Sequence, residues 1–208
     1  MKIYSTVIHA ILLLPIAVVL CNGQELAPKN ELGFTLGGIP SLSRSTAQES
    51  LDPGAGAAFG VNYGRRFVSG NKVALYGELN FLASPLRNVS SDSSSATKNF
   101  ASLYVTPGVR LKFFPTSTIS PYAVVGGGYG DYEQSTTRLD GQPNPASRQL
   151  ARGVFDFGAG VDVRVWRWIA LRGDVRDFYS GAPAYNVASI SGGQHNVAIS
   201  GGFVVRWH

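Results

Sequence analysis

Residues 153–177 read GVFDFGAGVDVRVWRWIALRGDVRD, two runs of alternating side chains joined by a short aromatic turn. Successive side chains of a strand point to opposite faces. In the first run Phe155, Phe157, Val161, Val163 and Val165 share one face; Asp156, Gly158, Gly160, Asp162 and Arg164 share the other. In the second run Ile169, Leu171 and Val175 stand opposite Arg172, Asp174 and Arg176. Facing residues of an antiparallel hairpin must share a face. With the turn centred on Arg167, Val165 therefore lies opposite Ile169, Asp162 opposite Arg172 and Gly160 opposite Asp174. One side of this ribbon is hydrocarbon and the other carries its charges.

The same alternation recurs on both sides of the hairpin. Residues 57–67 set Phe59, Val61 and Tyr63 against Gly60, Asn62, Gly64 and Arg66. Residues 73–83 set Val73, Leu75, Leu79 and Phe81 against Tyr76, Glu78 and Asn80. Residues 101–113 set Leu103, Val105, Val109, Leu111 and Phe113 against Ser102, Tyr104, Thr106, Arg110 and Lys112. Residues 195–207 set Val197, Ile199, Phe203, Val205 and Trp207 against Asn196, Ser200, Gly202 and Arg206. Two weaker strands complete the set. Residues 31–39 place Leu32, Phe34 and Leu36 against Glu31 and Thr35, and residues 121–131 are apolar or glycine on both faces, which leaves their outward side open. With 153–165 and 168–177 there are eight.

Alternation alone fits a soluble barrel with its apolar face inward or a membrane barrel with its apolar face toward lipid. Three features favour the membrane. The strands are long compared with the usual 5–6 or so residues and suit the roughly 9–11 that cross a bilayer at a tilt. The polar face is rich in glycine, as a narrow lumen requires. The connections also alternate in length: 68–72, 115–120 and 166–168 are short, whereas 40–56, 84–100, 132–152 and 178–194 are long. Short periplasmic turns and long extracellular loops follow from an up-and-down barrel with both ends in the periplasm. Phe67, Phe113, Trp166, Trp168 and Trp207 gather at the short-turn end, as an interfacial girdle would. The expected fold is an all-β, eight-stranded antiparallel up-and-down transmembrane β-barrel.

The start of the chain agrees. Lys2 precedes the wholly apolar run from Ala10 to Leu20, and Cys21-Asn22-Gly23 follows, the layout of a secretory signal peptide. The run is too short for a spanning helix of about 20 residues, and no other stretch qualifies as one. Residues 1–23 are read as signal and 24–208 as the barrel domain. A lipoprotein signal acylated at Cys21 is the alternative, with bulky Leu20 against it. Cys21 is the chain's single cysteine, so no disulfide braces the fold. A formal charge of +5 without a dense basic run gives no sign of nucleic acid as a partner.

At this point the chain resembles a family. The alternation of Val197, Ile199, Gly201, Phe203, Val205 and Trp207 is similar to the C-terminal assembly signal of outer-membrane barrels. Residues 158–164 (GAGVDVR) with 169–174 (IALRGD) resemble the last but one hairpin of the outer membrane protein A-like and opacity-protein-like eight-stranded barrels. The family usually ends on the aromatic, whereas here His208 follows it. The resemblance implies an outer-membrane location, lipid and the barrel-assembly machinery as partners (the latter through the last strand), and a role in envelope structure or surface interaction.

Chemistry is sparse. His9, His195 and His208 have no ligand-like spacing, so no metal site is expected; no cofactor motif occurs either. The stretch from Gly126 to Gly130 (GGGYG) lacks the lysine and helix of a phosphate loop. A lipid-modifying hydrolase would need a nucleophile, a histidine and an acid; only His195, near Ser189 and Ser191, could serve, with no acid close in sequence. No catalytic residues are therefore assigned. Glu78, Arg110, Lys112, Asp156, Asp162, Arg164, Arg172, Asp174 and Arg176 fall on the inward face. An eight-stranded barrel has room inside for side chains only, and these must pair, since unpaired buried charge is costly. The expectation is a monomeric structural or adhesin-like surface barrel with a charge-plugged lumen. A narrow conduit for ions or small solutes is the second reading and a lipid-modifying enzyme the third. Any extracellular ligand would be met by the loops.

Overall fold

A computed structural model, describing residues 27–46, 49–181, 183, 185–187 and 192–208, shows eight antiparallel strands closed into a barrel. These are β1 (Asn30–Ile39), β2 (Gly56–Ser69), β3 (Val73–Asn88), β4 (Asn99–Phe113), β5 (Ile119–Gln134), β6 (Gln149–Arg164), β7 (Ile169–Gly181) and β8 (Val197–Trp207). Each pairs with the next, and β8 closes on β1, where Leu32 faces Val205 and Phe34 faces Phe203. Closure satisfies every strand edge within the barrel, as hydrocarbon surroundings demand. Residues 1–26, with the expected signal and its cleavage point, lie outside the described residues.

The faces settle the environment. Leu36, Phe59, Phe155, Leu171, Val175 and Ile199 point outward with about half their surface exposed or more, whereas Glu31, Arg110, Lys112, Asp162 and Arg172 point inward and are buried. A barrel in water does the reverse. Apolar surface running around the whole wall far exceeds the few hundred Å² or so that a soluble monomer exposes; here it meets lipid.

In the β6–β7 hairpin Arg172 faces Asp162 and Asp174 faces Gly160. The turn at 165–168 holds Val165, Trp166 and Ile169 through the backbone bonds Val165 N–H to Ile169 O (3.1 Å) and Trp166 N–H to Ile169 O (3.0 Å). The side of β5 that its composition left open is fixed by register with β6. Ala123 faces Ala159 and Val125 faces Phe157, both outward, so Ser120, Tyr122, Val124 and Gly126 line the lumen.

Several strands run further toward the loops than expected. β3 continues past Ser84-Pro85 because a bulge between Ser84 and Arg87 absorbs the proline and turns Arg87 inward. β5 and β6 reach Gln134 and Gln149 and shorten their connection to 135–148. Above the barrel, Arg44–Ser45, Ser50–Asp52 and Ser90–Ser91 form a small antiparallel sheet across the first two long connections.

Candidate functional site

The lumen is filled in two storeys. The lower is ionic and centres on Glu31, the first inward position of β1. Lys112 Nζ lies 2.5 Å from Glu31 Oε1 and 2.6 Å from Asp162 Oδ2. Arg172 holds Asp162 in a fork, Nε to Oδ1 at 2.7 Å and Nη2 to Oδ2 at 2.8 Å, while its Nη1 donates to Asn62 at 2.5 Å. Arg110 bridges Glu31 (3.3 Å) and Glu78 (3.1 Å). One level up, Arg176 reaches Glu78 (2.6 Å), Asp174 (3.1 Å) and Asp156 (3.3 Å), and Thr106 donates to Asp156 at 2.8 Å. Forked contacts and shared partners are what allow buried ions to recover their lost hydration.

Rings fit between these charges. The Arg110 and Arg172 guanidinium carbons lie 5.4 Å and 5.0 Å from the centre of the Tyr122 ring, and Lys112 Nζ lies 5.3 Å from that of Tyr76. Glycine makes the room: a Cβ on Gly64 would run into the Arg110 guanidinium, and one on Gly160 into the Tyr122 hydroxyl.

The upper storey is aromatic, and the inward pattern alone did not announce it. Tyr104 stacks on Phe178 with centroids 4.8 Å apart, and Tyr132 meets Tyr104 edge-on at 5.9 Å. Tyr185, from the last long connection, drops onto Phe100 at 5.2 Å and donates its hydroxyl to Gln194 (2.8 Å). Arg87 seals one side, its Nε donating to Gly54 O (2.9 Å) and its Nη1 to Asn196 Oδ1 (3.1 Å), with the guanidinium over Phe100. The lumen thus holds charges below and rings above.

Of the nine inward charges expected, eight meet in the ionic storey and Arg164 does not. It is the last inward residue of β6, half-buried at the periplasmic mouth below the ion pairs, where its charge reaches water instead of a carboxylate. Two central residues were absent from the expected set. Glu31 carried the right parity but sits in a weakly patterned strand, and Tyr122 could not be placed without the register of β5.

Described residues of the loops bond to one another across connections. Thr97 N–H donates to Tyr185 O (2.9 Å), Lys98 N–H to Thr137 O (3.1 Å), Asp140 N–H to Ser94 O (3.1 Å) and Ser50 Oγ to Asp92 (2.5 Å). The Ser41 hydroxyl and the Gly54 N–H hold the Asp52 carboxyl below its usual range. His195 finds an acid that sequence distance hid: its Nδ1 lies 2.5 Å from Asp177 across the β7–β8 seam, beside Tyr179. Ser189 and Ser191 lie outside the described residues, and no triad is assembled among the described ones. Nor do the described residues gather three metal-ligating side chains.

An edgeless barrel with an apolar outside and a charged inside, open to short turns at one rim and long loops at the other, is an outer-membrane β-barrel. The chain belongs to the outer membrane protein beta-barrel domain family, whose model matches residues 13–203. It is similar in fold to Neisserial surface protein A, at a TM-score of 0.55 and 15% identity, covering 86% of this chain and 96% of that one. It is likewise similar to the outer membrane protein OprG from Pseudomonas aeruginosa, at 0.57 and 11%, covering 88% and 97%. At these identities the likeness concerns the fold. A search of curated proteins finds no match. The protein resides in the outer membrane.

Proposed function

We propose that this barrel is a sealed anchor that holds an ordered loop platform at the cell surface, with a structural or adhesin-like role. The observation that carries the reading is the filling of the lumen by two unlike storeys. The ionic one would have to give up buried pairs, and the aromatic one its stacked rings, before a solute could pass. A pore conducts only if neither storey blocks it, which weighs against the conduit. A prearranged loop surface loses little freedom on meeting a partner, and binding residues are most often found on loops set by a rigid scaffold.

Cells displaying the protein are expected to be retained on at least one class in an array of immobilised proteins and glycans. Replacing residues 89–98 by a short glycine-serine turn should abolish that retention while the barrel keeps its heat-modifiable gel migration. Retention that survives the replacement, or none on any surface, would overturn the surface role.

A further inference from the structure

The periplasmic mouth carries a cluster of side chains that neither the barrel wall nor the filled lumen uses. β6 ends on Arg164, the following turn holds Arg167 and Trp168, and β8 ends on Arg206 and Trp207. Together with Pro115 they line a cavity of about 300 Å³, and no carboxylate side chain is among its described lining residues. That volume sits at the lower end of the range of small-ligand sites, roughly 300–1,000 Å³. Arg206 is only 4% exposed, and its Nε has no hydrogen-bond partner among the described residues. A buried guanidinium donor without an acceptor is costly, so this one awaits an oxygen. Glu31 and Asp162, the acids nearest along the lumen, are already shared among Lys112, Arg110 and Arg172.

Depth identifies the oxygen's source. Phe67, Trp166, Trp168 and Trp207 are exposed on this rim, and such rings mark the headgroup level of a bilayer. Lys29, Arg65, Arg66 and Lys72 share the rim, and none of its described residues is acidic. The cavity therefore combines guanidinium groups, which match phosphate oxygens in pairs, with two indoles at the lipid boundary. We propose that it binds the phosphate of an anionic phospholipid from the inner leaflet. Arg164, Arg167 and Arg206 would hold the phosphate oxygens, and Trp168 and Trp207 would flank the glycerol and the first methylenes. A soluble phosphate would have use for the arginines but none for the indoles.

All three tryptophans of the chain lie on this rim, so fluorescence excited selectively at tryptophan reports on it alone. The full chain is reconstituted in phosphatidylcholine vesicles containing a minor fraction of phosphatidylglycerol, with bromine on the acyl chains of one lipid or the other. Brominated phosphatidylglycerol should quench several times more strongly, per mole, than brominated phosphatidylcholine. That preference should fall to near parity in Arg206→Gln and in Arg164→Gln, since each removes a guanidinium that pairs with the phosphate oxygens. Lys72→Gln, on the same rim but outside the cavity, should leave it unchanged. Arg164 is half-buried at the mouth and makes no ion pair among the described residues, so its variant keeps the test intact if Arg206→Gln fails to fold by gel migration. Equal quenching by the two lipids would overturn the site. An equal loss in all three variants would replace it with diffuse rim charge. Displacement by inorganic phosphate at matched ionic strength would assign a soluble anion instead and contradict the proposal.

Discussion

Replacing Asp162 with asparagine is expected to destabilise the barrel by about 3–5 kcal/mol, the scale of breaking one partner out of a buried ion pair. The carboxylate receives both arms of the Arg172 fork and the Lys112 ammonium at 2.6 Å. Asparagine keeps the shape and removes the charge, so two buried cations are left leaning on Glu31 alone. Glu31→Gln should fall toward the lower end of that range, because Asp162 still faces both Lys112 and Arg172. Converting Asp162 and Arg172 together to leucine and methionine should recover part of the loss, since no buried charge then lacks its partner. Urea unfolding of the protein in lipid vesicles measures all of these. A change under about 1 kcal/mol for Asp162→Asn would mean that water reaches the layer and screens it, as at a surface pair.

The second large effect lies on the other face. Arginine at Val175, midway along the outward face of β7, or at Val161, its diagonal neighbour on β6, should cost about 2–4 kcal/mol, the penalty for a cation near the bilayer midplane. Val175 is 47% exposed, with no lumenal charge within its own side-chain row. The two sites are neighbours along one hairpin. On β7 itself the lumen requires Arg172 and Arg176, yet an arginine in place of Val175, between them on the opposite face, would not be tolerated. The same unfolding assay reads the difference, and a Val175→Arg barrel as stable as the unchanged protein would contradict the lipid-facing assignment.

How much of this was legible in the sequence depended on how strongly each strand marked its two faces. The β6–β7 hairpin alternates without interruption, so its turn, its register and the pairing of Asp162 with Arg172 could be read from residues 153–177 alone. β5 offered glycine and apolar residues on both faces, and only its neighbour's register placed Tyr122 between two guanidinium groups. Ser84-Pro85 carries the usual mark of a strand end, yet a bulge lets β3 pass it and brings Arg87 into the upper lumen. The aromatic storey was hidden for a related reason. Phe178 falls just past the expected strand end at Asp177, and Tyr104, though read as inward, stands among polar residues and does not by itself signal a second core. Tyr185 comes from a connection whose path no local signal fixes. Arg164 shows the converse, since parity put it inside while its height in the barrel left it at the mouth, out of reach of the acids.

The most direct test of the proposed seal is single-channel recording of the purified protein in a planar bilayer. No steady conductance is expected in the unchanged protein, because the Tyr104–Phe178 stack lies over the ion pairs of Arg176 and Arg172. Regular, ohmic openings in the unchanged protein at low voltage, with conductance that scales with salt, would contradict it.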